Sequence, residues 1–349
     1  MSNILFFTKG DRTVASSRLR AWQIRDGVAP DAEVIHSIAY ASSSFSLRRF
    51  QLLRRVWRQM KSPDVRVFFV QKSFFPWDII ILIWVARATL GKRVIFDLDD
   101  AEWVHSPRKT RALARMASAV FAGSHAIYEW ARAHGANTFF IPTVIDIRDY
   151  SPRAHGDRIY TLGWIGEGRA HFRQGNFAIL KPALSVLAAK NISFRLVVVG
   201  SERYEPLKQY FKDVPFEVVF VDEADWGRPD ASSCLITDYQ FDIGLMPLVD
   251  TEFNRAKCVF KAIEYMGSGI PVVASRVGEA LFAVDDGKSG FLCSTEEEWA
   301  EALTKLLSDK DLCFKMGSAG RRIAEERYSL EAVIPQIKKE LEKSLQNKH

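Results

Sequence analysis

Short apolar runs closed by polar residues recur along the chain, and each is followed by a stretch with helical spacing. Residues 241–275, FDIGLMPLVDTEFNRAKCVFKAIEYMGSGIPVVAS, carry this unit most fully. An apolar run over 243–246 leads into a polar loop, an amphipathic segment over 257–266, a glycine-containing break and a second apolar run over 270–274. This order predicts strand, loop, helix and strand. In the predicted helix Lys257, Lys261 and Glu264 fall at i, i+4 and i+7, so all three project from one face. Two cations near a helix start, with its unpaired N–H groups and partial positive charge, suit a phosphate. The same spacing also fits a solvated helix face.

The rest of the chain repeats the alternation. ILFF before Lys9 predicts a first buried strand, Gly10 a loop, and 16–28 a helix carrying Arg18, Arg20 and Arg25. VRVFFVQ over 65–71 and VIFDLDD over 94–100 are apolar runs with polar ends, as central parallel strands require. AVFAGSHAIYEWARAHGANTFFIP predicts strand, a turn at Gly123 and Ser124, a helix from His125 stopped by Gly135, and another strand before Pro142. The polar, turn-rich stretch 146–158, with Pro152 and Gly156, predicts a hinge. YTLGWIGEG then opens a second run of strands and helices, with glycines over 163–168, FRLVVVG and FEVVFVD, and helices over 295–307 and 310–327. A last helix over 329–346 starts with Ser329 as cap and Glu331 in its first turn. The fold class is α/β, with domains over 1–152 and 153–328.

Length and composition agree with two domains. A chain of 349 residues, nearly half of them hydrophobic, is long enough to bury two cores. Its net charge of +6 favours an anionic partner, whether nucleoside diphosphate, membrane surface or nucleic acid. Cys234, Cys258, Cys293 and Cys313 are scattered without a CxxC pair, so neither a zinc site nor a disulfide framework is indicated. The run before Lys9 is too short for a signal-peptide core, and no apolar run approaches the roughly 20 residues that span a bilayer. A cytoplasmic protein, soluble or peripheral on the inner face of the membrane, is expected. Residues 46–61, SLRRFQLLRRVWRQMK, mix Phe50 and Trp57 with Arg48, Arg49, Arg54 and Arg55 and contain no acid. That is the composition of a membrane-surface helix, or of an ordinary helix with a wet basic face.

In parallel sheets ligands collect beyond the carboxyl ends of strands, which places Asp97, Asp99, Asp100 and Glu102 at an active-site edge. His105 is the only histidine close by, and no histidine pair completes a metal site there. Glycines at 163, 166 and 168 let backbone N–H groups approach an anion, with Arg169, His171 and Arg173 as the local cations and Gly200 at the end of the next strand. The spacing is not that of the dinucleotide fingerprint.

The wording KCVFKAIEYMGSGIPVVAS, followed by Gly278 and by GFL, resembles the C-terminal half of family 4 retaining glycosyltransferases, most strongly over 160–329. The resemblance implies a GT-B fold, two Rossmann-like domains facing across a cleft, with the tail over 329–349 crossing back to the first. It implies a nucleotide-sugar donor held by the second domain, through Gly166, Arg169, His171, Arg173, Gly200, Lys257, Lys261 and Glu264. Glu264 matches the family's ribose-binding glutamate, and Lys261 would face the diphosphate. Asp99 and Asp100 resemble the relatives' acids on the cleft, and with Lys261 are the implied catalytic groups. Lys9, Arg12, Ser17, Arg18 and His105 would border the acceptor. Neither a metal nor another cofactor is implied. Relatives carry a further glutamate eight positions before the one at 264, where this chain has Ala256. Glu252, Asn254 and Arg255 are the nearest polar substitutes.

The function expected is transfer of a sugar from a nucleotide-diphosphate sugar to a glycan or lipid-linked glycan. An epimerase of the same fold would keep the donor pocket without a broad acceptor site, and a non-catalytic binding protein would tolerate Ala256. Nucleic-acid binding rests on charge alone, with no recognition motif.

Overall fold

The computed structural model describes residues 3–37, 47–152, 160–226, 228 and 230–346, without the side chains of 47, 48 and 344–346. It divides into two compact units. Unit 1 is Met1–Val144 with Ala256–Cys258 and Leu330–His349, and unit 2 is Ile145–Arg255 with Val259–Ser329.

Unit 1 holds strands β1 (Ile4–Thr8), β2 (Val34–His36), β3 (Val67–Gln71), β4 (Arg93–Leu98), β5 (Ala119–Ala122) and β6 (Thr138–Phe140). They pair in the order β2-β1-β3-β4-β5-β6, every pairing parallel. Central strands of such a sheet are covered on both faces, which is why β1 and β3 are apolar at successive positions and not at alternate ones. On one face Phe6, Phe69, Ile95 and Phe121 meet Ala21, Ile24, Val333 and Ile337 from helices near the two ends of the chain. The last helix, Leu330–Gln346, lies so close to helix Gln23–Val28 that a Cβ on Gly27 would stand 2.6 Å from Ile334. Helices Leu47–Met60, Trp77–Leu90 and Pro107–Met116 pack side by side, the first crossing from β2 past β1 to β3 and the other two each joining neighbouring strands. The helix expected over 16–28 is one helical run that widens into a π-helix over Arg18–Trp22, and this turn carries Arg18 and Arg20 inward.

Unit 2 holds β7 (Tyr160–Ile165), β8 (Phe194–Val199), β9 (Glu217–Val221), β10 (Ile243–Met246), β11 (Val272–Ser275) and β12 (Gly290–Cys293). Their order, β9-β8-β7-β10-β11-β12, is the Rossmann order, again wholly parallel. Buried Trp164 and Trp299 fill one side of the sheet, and Phe241 and Tyr265 the other. Two strand glycines make room for those last rings. A Cβ on Gly163 would stand 1.9 Å from the Phe241 ring, and one on Gly244 would stand 2.2 Å from Tyr265.

The division between the units falls at Val144 and Ile145, eight residues ahead of the expected 152 and 153. The cause lies in what the intervening segment bonds to. Ile145 N–H donates to the Tyr328 carbonyl at 2.9 Å. Asp146 caps a short 3-10 turn, Ile147–Asp149. Arg321 donates to the carbonyls of Tyr150, Ile147 and Gly267. The expected hinge therefore begins as part of unit 2, and its remaining residues, 153–159, lie outside the described ones.

Gly163→Ala should lower the stability of unit 2 by about 1–3 kcal/mol, the usual cost of overpacking a close-packed core. Urea unfolding followed by tryptophan fluorescence measures it, and a wild-type midpoint would mean that the Phe241 ring moves freely aside.

Candidate functional site

A parallel sheet opens a crevice where its strand order reverses, because the loops leaving the two flanking strands diverge to opposite faces. In unit 2 that point lies between β7 and β10, and in unit 1 between β1 and β3. Polar and charged side chains gather at both.

At the unit 2 point the loop leaving β7 turns at Gly166 (φ +152°) into helix Gly168–Arg173. Gly166 N–H donates to the Val199 carbonyl at 3.1 Å, and Gly168 N–H to the Gly200 carbonyl at 2.8 Å. A side chain on Gly200 (φ +84°) would collide with the Gly166 carbonyl, its Cβ 2.0 Å away. Under this loop lies Lys261, its Nζ 5.3 Å from the centre of the Trp164 ring and 3.2 Å from His171 Nε2. A polar network lies behind His171. Asn176 Oδ1 accepts from Val249 N–H at 2.9 Å and from Asn254 Nδ2 at 3.0 Å, so the Asn176 amide NH₂ faces His171 Nδ1 at 3.1 Å. Lys261, an ammonium with three N–H donors and no acceptor, suits an anionic oxygen beside the imidazole.

Glu264, 2% exposed, accepts a hydrogen bond from the Tyr150 hydroxyl at 3.2 Å. It sits one turn along helix Phe260–Gly267 from Lys261. Lys257 lies outside this helix. The helix starts at Phe260, not at 257, because Val259 is left-handed (φ +42°, ψ +34°) and breaks the helical path. Residues 256–258 belong to unit 1, where Ser124 Oγ donates to the Ala256 carbonyl at 2.8 Å and Cys258 Sγ to the Asp99 carbonyl at 3.0 Å. The expected three-residue face is thus a pair. Arg169 and Arg173 also leave the group. They project from the far side of their helix and stack on Tyr204, 5.3 and 5.8 Å from its centre, while His171 turns inward. Of the polar substitutes near Ala256, Asn254 is buried in the network described, and its Oδ1 has no hydrogen-bond partner among the described residues. Arg255 is exposed and paired with Asp250, and Glu252 is exposed.

At the unit 1 edge the organising group is one the motifs did not mark, Lys72, in a left-handed residue (φ +60°) just past β3. Its buried ammonium lies 2.9 Å from Asp99, 2.6 Å from Asp100 and 3.9 Å from Glu102. Burial works against its charge, and the carboxylates of Asp100, Asp99 and Glu102 overcome it, holding the pKa well above the usual lysine value. Burial raises Asp99 and Glu102. In Asp100 burial is outweighed by Lys72 and Lys257, and the pKa is lowered. Ser73 donates to Glu102 at 3.0 Å. Asp97 is separate, fully buried against Arg20, whose guanidinium reaches both its oxygens at 2.5 and 3.2 Å.

The acceptor candidates other than His105 gather around the loop after β1, each in its own surroundings. Ser17 is fully buried, and its hydroxyl bridges Gly10 N–H and Gln71 Oε1, fixing the loop after β1. Arg12 pairs with Asp26 at 2.7 Å and stacks on Trp22. Arg18 is buried and donates to the Arg12 carbonyl. Lys9 stands over Phe74, 4.5 Å from the ring centre. His105 is exposed at the end of helix Glu102–His105. In the basic helix Arg54 and Arg55 are exposed and Trp57 is half-buried. Arg49 is taken from the outer surface by Asp78, bound through both oxygens at 2.5 and 2.7 Å. The side chain of Arg48 lies outside the described residues.

Lys72→Met leaves three carboxylates around an empty centre, and should cost about 3–5 kcal/mol of stability near neutral pH. The sign with pH follows from linkage. In the wild type the lowered pKa of Asp100 contributes stability above the ordinary carboxylate pKa, lost as the pH falls through the folded value. In the variant the carboxyls titrate above their unfolded values, so stability falls as the pH rises. The gap between the two proteins should widen from about pH 4 to about pH 8. Thermal unfolding at several pH values checks it, and a constant gap would mean that the cluster does not carry the charges assigned to it.

Residues 160–309, most of unit 2, match the family model of glycosyl transferases group 1. The chain is 36% identical over 113 residues to a D-inositol 3-phosphate glycosyltransferase of Corynebacterium urealyticum, covering 32% of this chain and 25% of that protein. It is 26% identical over 251 residues to a GDP-mannose-dependent monoacylated alpha-(1-6)-phosphatidylinositol monomannoside mannosyltransferase of Corynebacterium glutamicum, covering 66% and 64%. The matched parts thus span less than two thirds of either relative. Across the whole chain the fold is similar to sucrose-phosphate synthase of Thermosynechococcus elongatus (TM-score 0.73, 16% identity, 98% of both chains). It is equally similar to Anabaena HepE, solved in complex with UDP and glucose (TM-score 0.73, 16% identity, 98% of this chain and 100% of that one). Residues 160–309 thus match glycosyl transferases group 1, and the fold running through both sheets is that of GT-B proteins.

Proposed function

We propose that this protein transfers a glycosyl group, with retention of configuration, from a nucleoside diphosphate sugar to a hydroxyl of a glycan or lipid-linked glycan. The observation that carries the reading is the Lys261 ammonium beside the His171 ring, set under the Gly166 loop where the Rossmann order reverses. As the bond from sugar carbon to phosphate oxygen breaks, its electrons and a full negative charge move onto the leaving diphosphate. An ammonium already in place stabilises that charge with little reorganisation. Glu264 is suited to the ribose, since two neighbouring hydroxyls donate to its two oxygens, and Tyr150 fixes its orientation.

Unit 1 supplies the acceptor side of this reading. Asp100 is the more exposed of the two paired acids and is kept ionised, so it is the group to receive an acceptor hydroxyl, with Asp99 behind it. Lys9 and His105 are the remaining acceptor candidates. A metal-independent reaction is favoured because the centre of the acid cluster is filled by the Lys72 ammonium. The UDP-glucose complex of HepE and the phosphatidylinositol monomannoside in the mannosyltransferase's name support the substrate classes.

A thermal-shift screen with UDP, GDP, ADP, CMP and dTDP sugars identifies the donor, since a ligand that binds the folded state raises the midpoint. Two variants then separate binding from chemistry. Glu264→Gln keeps shape and loses the charged acceptor, so nucleotide affinity should fall by about 1.5–3 kcal/mol. Lys261→Ala removes charge where charge grows, so kcat should fall more than nucleotide affinity. Wild-type affinity and turnover in either variant would exclude that residue from the site, and free sugar without acceptor product would point to hydrolysis or epimerisation.

A further inference from the structure

Three neighbouring helices of unit 1 present an outer surface that the donor chemistry leaves unused. On the middle helix, Trp77–Leu90, Trp77, Ile81 and Trp84 stand at i, i+4 and i+7 and are 45%, 54% and 54% exposed. With Ile80, Arg87 and residues Ala112, Arg115 and Met116 of the next helix they line an open groove of about 350 Å³. Large apolar side chains in a row on an outer face mark an interaction surface, whereas single ones do not.

The flanks are basic. Helix Pro107–Met116 exposes Arg108, Arg111 and Arg115 at i, i+3 and i+7 and contains no acid. Helix Leu47–Met60 exposes Arg54, Arg55 and Arg58 beside Phe50, which is 65% exposed, and it too has no acid. The middle helix has one acid, Asp78, and Arg49 already neutralises it. Each long helix of 14 residues runs about 21 Å. Positive charge thus extends over a broad area on both sides of an aromatic ridge. A field spread so widely matches a surface that carries negative charge laterally better than it matches a point ligand. Tryptophan, with an apolar body and an N–H, favours the boundary between headgroups and acyl chains. Guanidinium groups pair with phosphates through two N–H donors.

We propose that this three-helix face docks on an anionic lipid bilayer, with Trp77, Ile81 and Trp84 entering the interface and the flanking arginines on lipid phosphates. The apolar part of the contact belongs to helix Trp77–Leu90, and the basic helix before it is a flank. This docking is independent of the transferase reading: it uses no residue of the donor or acid clusters.

Co-sedimentation of the whole chain with two kinds of vesicle tests it, phosphatidylcholine alone and equimolar phosphatidylcholine and phosphatidylglycerol. The wild type should partition onto the mixed vesicles at least about tenfold more strongly, through its arginines. Arg108→Gln, Arg111→Gln and Arg115→Gln should each weaken that partition by about fivefold. Trp77→Ser with Trp84→Ser should weaken it by more than about tenfold and remove the part that survives high salt. Unchanged thermal midpoints and unchanged nucleotide-induced shifts establish that the variants fold. A wild type that stays in the supernatant with both vesicles overturns the proposal. So does undiminished vesicle binding by the tryptophan variant, equal retention of that variant and the wild type on polyglutamate, or a wild-type dimer that the variant converts to monomer. Loss of turnover on a soluble acceptor bears on the transferase reading alone.

Discussion

Every strand pairing in both sheets is parallel, and that single constraint decides where chemistry gathers. Parallel strands return through crossovers, so all the loops leaving their carboxyl ends fall on one edge of each sheet. Where the order reverses, two such loops part and leave polar groups a place that is neither core nor open surface. In unit 2 that place receives Gly166, His171, Lys261 and the Asn176–Asn254 pair. In unit 1 it receives the loop after β1, pinned by Ser17 and Gln71, and Lys72 at the end of β3. The same constraint demands apolar residues at successive strand positions and glycine where a neighbouring ring crosses, as Gly163 and Gly244 show.

Both edges bring polar groups together away from open water. Three carboxylates converge in unit 1, and a buried ammonium makes the arrangement tenable. In unit 2 the Lys261 ammonium meets the His171 ring, and an amide network packs behind it. Neither depends on one residue type alone, so each is sensitive to partners well back from the ligand, such as Asn176 and Tyr150.

Most of the architecture was legible in the sequence because period and punctuation report it directly. The strands around Phe69, Phe96, Leu196 and Val273 follow from apolar runs, and the loops from Gly123, Gly166 and Gly200. Spacing placed Lys261 and Glu264 one turn apart on a helix, and the structure has them so. Spacing misled at Lys257, because helical periodicity carries no sign of the left-handed turn at Val259. Lys72 was invisible for a related reason. A lysine after an apolar strand has the appearance of an ordinary strand end, and only the packing of Asp99, Asp100 and Glu102 around it reveals its task. The arginines at 169 and 173 were indistinguishable from His171 until the helix phase was known. Arg49 was lost from the basic surface through a partner 29 positions away.

Ala256 shows how little room its turn leaves for a longer side chain. The methyl is completely enclosed, and the carbonyl is held by the Ser124 hydroxyl. A glutamate there would have to push a carboxylate into a space closed to water, at the cost that any unpaired buried charge incurs. The same substitution would be tolerated only if the neighbours that now fit Ala256 changed with it, so this position is set by volume before it is set by charge. Asn254, two residues earlier and also buried, is where this stretch keeps a polar group.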